Sequence, residues 1–301
     1  MDIYKKIIRN KELRFRILSA LRFIPDVPML RMQYFIKFGR MLNLKSPERF
    51  MDKMQWYKIY YRNPAMQQCA DKYSVREYVK SKGLEHILND LYAVYKSPEE
   101  IALDALPSRF ALKLSNGSST NLFINDKSKA NISDIQQKFR DFFAQSGASA
   151  GREWCYQSEK PPVILAEKLL KDQSNPTGTL RDYKIFCFQG KPAYIICVDG
   201  RYTSAYCHVV YDVNWNKQNV VIGESSAEAE YPKPEKLSEM LQYAGILSQD
   251  FPFARTDFYY LDGKIYFGEI TFFPWSGYMR FAPDSFDYHL GELFELPERN
   301  N

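Results

Sequence analysis

The sequence contains few of the residues from which metal clusters and nucleophilic sites are commonly built. Its five cysteines form no Cys-x-x-Cys pair, and its three histidines are too few to complete a zinc cluster with them. Free thiols in a reducing compartment are therefore expected. No apolar run reaches the roughly 18 residues that a membrane span requires, and the N-terminal segment lacks the apolar core and cleavage site of a secretory signal. These absences predict a cytoplasmic protein.

Several familiar motifs are also missing. The chain has no GxxxxGK[ST] phosphate loop, no GxGxxG turn and no GxSxG elbow, and its histidines have no evident nucleophile partner. An Asp-x-Asp triplet is absent too, which argues against the metal-dependent glycosyltransferases that hold a sugar nucleotide through such a triplet. What the chain does have is a high aromatic content of 16%, which suits a sheet-rich protein or one that binds flat ligands.

Positive charge is concentrated at the N-terminal end. Residues 1–40 contain ten Lys/Arg and three Asp/Glu, a net charge of +7, whereas the whole chain carries +5, so the remainder carries −2. Apolar residues recur at helical spacing among the lysines and arginines, and Pro25 would end such a helix. Two interpretations stay open: a helix packed on its own domain, and a basic amphipathic helix in peripheral contact with an anionic membrane at its inner face or with a partner. No nucleic-acid-binding module is recognisable, and nucleic acid is not an expected partner.

The remaining chain predicts an α+β protein. Helices are expected over 47–82 (two helices, interrupted at Asn63-Pro64 and ended by Gly83), over part of 97–107, and over 131–145 and 235–249. Strands are expected within 87–95, 109–126, 163–170, 182–200 (turning at Gln189-Gly190) and 208–215. The predicted domains are a helical region with its basic arm at 1–82, a small α+β lobe at 83–160 and a larger α+β lobe at 161–301.

The stretch ARTDFYYLDGKIYFGEITFFP, residues 254–274, predicts an aromatic β-hairpin that also carries acids. A two-residue loop at Asp262-Gly263 would leave Asp257 and Glu269 on opposite faces. A three-residue loop starting at Leu261 would place both acids on one face, close enough to share a metal ion, and this register is predicted. Four side chains then line one face: Arg255, Asp257, Glu269 and Thr271. For an isolated hairpin, two solvated acids are the alternative.

Three further segments contain candidate ligands. Lys113 lies on a strand that runs into SNGSST, and a cation beside a small-residue turn suits phosphate oxygens. The segment Glu167 to Leu170 closes an apolar strand whose backbone could bind the edge of an adenine. Asp182 and Lys184 begin the next strand. Taken singly, each of these residues is as readily structural as functional.

Together these segments resemble the ATP-grasp superfamily, and more closely its TupA-like branch, which is similar to teichuronopeptide-biosynthesis proteins. The resemblance runs from about Met41 onward. It is carried by PERFMDKMQWYKIYYRNP, CADKYSVREYV, FALKLSNGS, GREWCYQ, PPVILAEKLL, RDYKIFCFQGKPAYI, FPFARTDFYYLDGKIYFGEITFFPWSG and DYHLGELF. It implies an ATP-grasp fold in which two α+β lobes clasp a nucleotide, preceded by an N-terminal helical region, with ATP and Mg²⁺ as cofactors.

The resemblance also implies roles for individual residues. The implied nucleotide ligands are Lys113, Asn116, Gly117, Ser118, Glu167, Lys168, Leu169, Leu170 and Asp182. The implied Mg²⁺ ligands are Asp257, Glu269 and Thr271, and the implied catalytic cations are Arg255 and Lys184. The chain departs from the branch in its SNGSS loop, where an NHGSG-like sequence is usual, in Thr271, where Asn is usual, and in His208, where relatives tend to have a basic residue.

The resemblance implies an ATP-dependent carboxylate–amine ligase that forms an acyl phosphate and modifies a surface polysaccharide or its precursor with an amino acid or peptide. Its partners would be a carboxylate-bearing sugar or peptide acceptor and an amine donor. Two other functions stay open. One is a glycosyltransferase of a capsular or surface polysaccharide pathway, and the other is a non-catalytic binding protein on an ATP-grasp scaffold, suggested by the altered loop.

Overall fold

The computed structural model describes residues 20–117, 119–145, 151–157, 160–201, 203–223 and 229–299. The predictions for the basic arm before residue 20 and for Ser118 lie outside these ranges. None of the helices in the described ranges is long and apolar enough to cross a membrane.

The first part of the described chain is helical. It contains α1 (Asp26–Phe38), α2 (Phe50–Tyr60), α3 (Pro64–Ala70) and α4 (Val75–Ser81). The predicted break at Asn63-Pro64 is confirmed, because the Asn63 side chain accepts a hydrogen bond from the Ala65 N–H and caps α3. The prediction of two helices over 47–82 is wrong. A second interruption comes at Asp71, whose side chain accepts hydrogen bonds from the backbone N–H groups of Tyr73 and Ser74 and separates α3 from α4.

The small lobe is a four-stranded antiparallel sheet covered by one helix. Its strands are β1 (Leu91–Tyr95), β2 (Phe110–Leu114), β3 (Asn121–Ile124) and β4 (Ile164–Lys168), in the order β1-β4-β2-β3. Helix α5 (Ile132–Gln145) packs Ile135 and Phe139 into its core. Between β1 and β2 the expected helix forms only two short 3₁₀ turns. The strand that follows the predicted boundary at residue 160 completes this sheet, so the change to the second sheet comes after Lys168.

The larger lobe is a five-stranded antiparallel sheet in the order β10-β9-β5-β6-β7. Its strands are β5 (Asp182–Phe188), β6 (Lys191–Asp199), β7 (Cys207–Asp212), β9 (Phe253–Leu261) and β10 (Lys264–Thr271), and a short pair, β8 (Val221–Ile222) and β11 (Phe281–Ala282), lies outside this sheet. Helices α6 (Leu237–Ser248) and α7 (Ser285–Leu293) complete the lobe. The predicted turn at Gln189-Gly190 is confirmed, with φ of 46° and 75° at the two residues.

One aromatic cluster joins the helical region to this sheet. The ring of Phe50, on α2, lies 5.1 Å from that of Phe253 and 6.0 Å from that of Phe186, measured between centroids. All three rings are buried, so α2 is fixed against one end of the sheet face. Strand residues spaced two apart share this face. The polar residues farther along β5 and β9 therefore point to the same side as the cluster.

The β9–β10 hairpin has a shorter loop than predicted. Lys264 pairs with Leu261, so the loop contains only Asp262 and Gly263, whose φ angles are 51° and 74°. Both angles lie in the left-handed region that a two-residue hairpin turn requires. The predicted three-residue loop is therefore wrong.

A bulge restores the arrangement that the shorter loop would have lost. The register shifts between Phe267 and Glu269, so that Glu269 pairs with Asp257. Gly268 is the extra residue, and a Cβ atom there would lie 3.0 Å from the backbone oxygen of Asp257. The two acids do share one face, but the bulge places them there and the loop does not.

Candidate active site

A cleft lies between the two sheets and is lined from both lobes. The small sheet contributes Lys113 and Glu167, and the large sheet contributes side chains of β5, β9 and β10. The predicted residues that line this cleft are Lys113, Gly117, Glu167, Leu170, Asp182, Lys184, Asp257 and Glu269. Lys168 and Leu169 instead line a neighbouring cavity, which shares Leu170 with the cleft. The structure thus brings most of the predicted set together.

The floor of the cleft is organised around Arg255, which is 5% exposed. Its Nε and Nη2 atoms each donate to a different oxygen of Asp257 at 2.7 Å. Nη2 also donates to Glu269 Oε1 at 2.7 Å and to Thr271 Oγ1 at 2.9 Å. The four side chains predicted to share a strand face are therefore joined in one charge-assisted network.

The network continues across β5. Lys184 contacts the Asp257 carboxylate and lies 2.6 Å from Asp182 Oδ2, which Arg201 also approaches to 3.1 Å. Positive and negative groups alternate from Arg201 through Asp182, Lys184, Asp257 and Arg255 to Glu269. These six side chains are called the salt-bridge network below, and their formal charges sum to zero.

The two acids that contact Arg255, which are Asp257 and Glu269, differ in their proton affinity. Burial raises the pKa of Asp257 to about 6, although Arg255 and Lys184 act in the opposite direction. Burial also acts to raise the pKa of Glu269, but Arg255, Lys184 and Lys72 outweigh it and lower that pKa to about 2. The Glu269 side chain is 45% exposed towards the cleft. Both carboxylates are therefore mainly ionised at neutral pH, and Glu269 is the more accessible.

On the small-lobe side, cations surround Glu167. Lys113 Nζ lies 2.7 Å from one of its carboxylate oxygens, and Arg76 Nη1 lies 3.4 Å from the other. Arg76 also donates to the backbone oxygen of Asn89 at 2.9 Å. Lys72 contacts the backbone oxygen of Gly117 through Nζ. Three cations therefore face the large-lobe acids across the cleft.

Comparison with protein families settles the relationship. Residues 52–295 match the family described as TupA-like ATPgrasp. The chain belongs to the TupA-like ATP-grasp family. This confirms the resemblance read from the sequence and, with it, the ATP-grasp fold of two α+β lobes. No curated protein matches the chain.

Three of the solved structures similar to this TupA-like protein are ligases of low sequence identity. A D-alanine–D-alanine ligase from Bacillus anthracis is 16% identical, with 81% of this chain and 67% of that chain covered and a TM-score of 0.44. An L-amino acid ligase from Bacillus licheniformis is 15% identical, with 86% and 57% covered and a TM-score of 0.46. The D-alanine–D-alanine ligase from Helicobacter pylori is 16% identical, with 76% and 61% covered and a TM-score of 0.43. The chain thus spans about two thirds or less of the length of each.

The acids of this TupA-like protein fit a magnesium ion that is shared with phosphate. In the described part of the chain, no group of three or more His, Cys, Asp and Glu side chains could hold a metal ion unaided. Mg²⁺, however, is commonly held by one or two carboxylates together with substrate phosphates. Asp257 and Glu269 supply two such carboxylates on paired strands, with the Thr271 hydroxyl 3.2 Å from Glu269 Oε1. The donor chemistry matches the predicted role.

Four buried amide and carboxylate oxygens in or beside the cleft have no hydrogen-bond partner among the described residues. They are Oδ1 of Asn89, Asn116, Asn121 and Asp182. A buried acceptor of this kind costs free energy unless a donor reaches it. The Asp182 oxygen is available to a ribose hydroxyl, the role that the resemblance implies for it. The Asn116 oxygen lies beside the predicted phosphate-binding loop.

That loop contains one of the departures from the family sequence. Gly117 is required, because a Cβ atom there would overlap the Thr120 side chain. Ser119 stands where the family has Gly and adopts a φ of 61°. A left-handed conformation costs a non-glycine residue about 1–2 kcal/mol. The serine at this position therefore strains the loop.

Lys72 and Arg76 were not predicted from the sequence, although both lie in the segment CADKYSVREYV that carries part of the resemblance. Lys72 lies in the turn before α4, where its N–H donates to the Ser115 carbonyl at 2.8 Å, and Arg76 lies in the first turn of α4, 3.4 Å from Glu167. Contacts with residues far along the chain therefore bring both to the cleft. Their spacing of four residues was only a weak signal, because that spacing places side chains on one face of a helix and Lys72 lies in the turn before α4.

Proposed function

We propose that this TupA-like protein is an ATP-dependent carboxylate–amine ligase. The observation that carries the proposal is the salt-bridge network, which ends in two carboxylates on one strand face. Opposite them lie Lys113 of the small sheet and Lys72 and Arg76 of the helical region. Phosphoryl transfer depends on positioning and charge neutralisation more than on a protein nucleophile. The scarcity of histidine and cysteine at the cleft agrees with such chemistry.

Each side of the cleft would hold one part of the nucleotide. Lys113 and Lys72 would donate to phosphate oxygens, the segment Glu167 to Leu170 would bind adenine, and Asp182 would accept from the ribose. Asp257 and Glu269 would hold Mg²⁺, with Thr271 beside them. The bound ion would neutralise charge on the phosphates. In the structure, Arg255 contacts both of these carboxylates and Lys184 contacts that of Asp257.

The reaction follows from this placement. A carboxylate oxygen of the acceptor attacks the γ-phosphorus of ATP, the bond to the bridging oxygen breaks, and ADP leaves. Arg255 and Lys184 donate to the transferred phosphoryl oxygens as charge moves onto ADP. The amine donor then attacks the acyl carbon, inorganic phosphate leaves with the bonding pair, and the amine releases a proton. The products are an amide, ADP and phosphate.

The acceptor that we propose is a carboxylate-bearing sugar or peptide of a surface polysaccharide or its precursor, as the family resemblance suggests. A direct test incubates the protein with ATP, Mg²⁺, hydroxylamine and a panel of uronic acids and peptides. Hydroxylamine converts an acyl phosphate into a hydroxamate, so the amine donor need not be known. We expect ADP and hydroxamate to form only when ATP and a carboxylate are both present.

Other outcomes would identify the alternatives. Turnover of a sugar nucleotide without ADP formation would replace the ligase with a glycosyltransferase. ATP binding with no ADP under any condition would indicate a non-catalytic binding protein. The Glu269→Gln variant serves as the matched control, because it keeps the shape of the site and removes one charge from the metal-binding pair.

We also propose that the N-terminal region contacts an anionic membrane surface. Around α1, large apolar side chains point into solvent: Phe23, Met32, Phe35, Ile36 and Met41. Met32, Phe35 and Ile36 lie three and four residues apart on α1 and share one face, and exposed apolar side chains grouped in this way mark interaction surfaces. The strongly basic composition of residues 1–40 makes an anionic lipid surface the complementary partner.

A further inference from the structure

The turn that follows the metal-binding strand has an unusual backbone. Trp275, Ser276 and Gly277 are consecutive and have φ angles of 48°, 56° and 70°. Only the last is a glycine, and left-handed backbone is strained at each of the other two. Strain of this kind persists where the surrounding structure fixes it and is concentrated at functional sites. The question is what holds this turn and what the turn presents.

Two buried side chains of α2 hold the turn. Lys58 Nζ donates to the Ser276 carbonyl at 2.8 Å, and Gln55 Nε2 donates to the Gly277 carbonyl at 2.7 Å. Their exposed fractions are 1% and 0%. A Cβ atom on Gly277 would lie 2.6 Å from Gln55 Nε2, so the approach is closed to any larger residue. A buried lysine and glutamine thus satisfy carbonyls that the strained turn turns inward.

The turn places Trp275 beside Arg255 of the salt-bridge network. The indole remains 40% exposed, and its ring centroid lies 6.0 Å from the guanidinium carbon of Arg255. His208, from β7, packs edge-on against it with centroids 5.6 Å apart. Tyr206 bonds His208 Nε2 through its hydroxyl at 2.8 Å and is 45% exposed. An aromatic row therefore borders the arginine that contacts both metal-binding carboxylates.

This row lacks a charge of its own. Burial, with Lys184 and Arg201 nearby, lowers the pKa of His208 to about 4, so its imidazole is neutral at physiological pH. Two exposed rings and a hydroxyl offer flat apolar area and a few hydrogen bonds. Such surfaces suit the body of a flat, uncharged ring that carries hydroxyl groups.

We propose that Trp275 and Tyr206 bind the sugar ring of a uronic-acid acceptor. The inference rests on the proposed ligase function and deepens it. The carboxyl group of a uronic acid is attached directly to its ring. When that group reaches the phosphoryl position beside Arg255, the ring comes within reach of the indole, whose centroid lies 6.0 Å from the guanidinium carbon. Trp275 then covers the C–H face of the sugar, and Tyr206 meets its hydroxyls.

The test compares Trp275→Ala, Trp275→Phe and Tyr206→Ala in the hydroxamate assay with D-glucuronic acid. We expect Trp275→Ala and Tyr206→Ala each to raise the KM for glucuronic acid about tenfold, the effect of losing about 1.4 kcal/mol of ring contact. Trp275→Phe should recover most of the affinity. The KM for ATP should not change in any of the three. Tyr92→Ala, which removes a similarly exposed ring from β1, is the matched control.

Glutarate, an acyclic carboxylate, separates a sugar subsite from a general defect. A variant that loses glucuronic acid and glutarate equally would overturn the inference, as would Trp275→Ala with an unchanged KM for glucuronic acid. A raised KM for the amine donor alone would assign the rings to that substrate instead and also overturn it. Tyr206→Ala lies outside the strained turn, so it decides the matter if Trp275→Ala fails to fold. Hydroxamate formation from peptides but not uronic acids would end this inference and leave the ligase proposal standing, whereas no hydroxamate from any carboxylate would end the proposed function.

Discussion

Replacing Asp257 with Asn should separate stability from activity. Asp257 is 1% exposed, and its pKa of about 6 lies above its ordinary value of 3.8. A carboxyl group whose pKa is raised on folding stabilises the fold below the unfolded pKa and loses that contribution as pH rises through the folded pKa. Ionised Asp257 therefore costs stability above about pH 6. At about 1.4 kcal/mol per pKa unit, the cost reaches at most about 3 kcal/mol.

The Asn side chain resembles the protonated carboxyl group in shape and charge. The free energy of unfolding of Asp257→Asn, measured by urea denaturation, should therefore equal or exceed that of the native protein at pH 7.5. The advantage should shrink between pH 6 and pH 4. Mg²⁺-dependent ADP formation should be lost at every pH, because one of the two carboxylates is gone.

A second buried aspartate provides the matched control. Asp199 accepts from Asn175, Thr177, Thr179 and the Gly200 N–H, and pairs with Arg181. Burial acts to raise its pKa, but these donors outweigh burial and lower it, so its ionised form stabilises the fold above the unfolded pKa. Asp199→Asn should therefore destabilise the protein at pH 7.5 by about 1–3 kcal/mol.

Two results would refute this reasoning. If Asp257→Asn is several kcal/mol less stable than the native protein at pH 7.5, the attraction of the Asp257 carboxylate to Arg255 and Lys184 outweighs the cost of burying it. The salt-bridge network is then a net stabilising element. If the variant keeps full Mg²⁺-dependent turnover, Asp257 is not a metal ligand. The Asp199→Asn control shows whether the assay detects the loss of a favourable buried carboxylate.

Three further predictions concern the small lobe and α1. Lys113→Ala should weaken ATP binding by about 1.5–3 kcal/mol, as expected for a charge-assisted hydrogen bond, and an unchanged dissociation constant by calorimetry would remove Lys113 from the site. Ser119→Gly should relieve the left-handed strain and raise the free energy of unfolding by up to about 1 kcal/mol, whereas a loss of stability in urea denaturation would show that the Ser119 side chain is needed. The double variant Phe35→Glu and Ile36→Glu should lower sedimentation with anionic liposomes at least tenfold without changing ATP turnover, and equal sedimentation would rule out this face as the membrane contact.

The hairpin shows how far the sequence could predict the site. The strands and the shared face of Asp257 and Glu269 were predicted correctly, but through the wrong loop. A bulge leaves almost no trace in an alternating pattern, because one extra residue looks the same as a different loop length. Gly268 was the available signal, since a glycine inside a strand often marks a bulge or a close backbone approach.

Contacts between distant segments were beyond such reasoning. The family resemblance located Lys113, Glu167 and Asp182 along the chain, but the pairing of Lys113 with Glu167 depends on the register of β2 against β4. Likewise, the turn at Trp275 is held by side chains more than two hundred residues earlier in the chain. Sequence patterns report local periodicity, and these contacts depend on how separate elements dock.

The salt-bridge network affects the order in which metal and nucleotide bind. Arg255 and Lys184 already occupy the oxygens of Asp257, so a bare divalent ion must compete with two tethered cations for the same carboxylate. A nucleotide changes that competition, because its phosphates offer the displaced arginine and lysine new anionic partners. Metal and nucleotide should consequently enter as one complex, and Mg²⁺ alone should bind weakly.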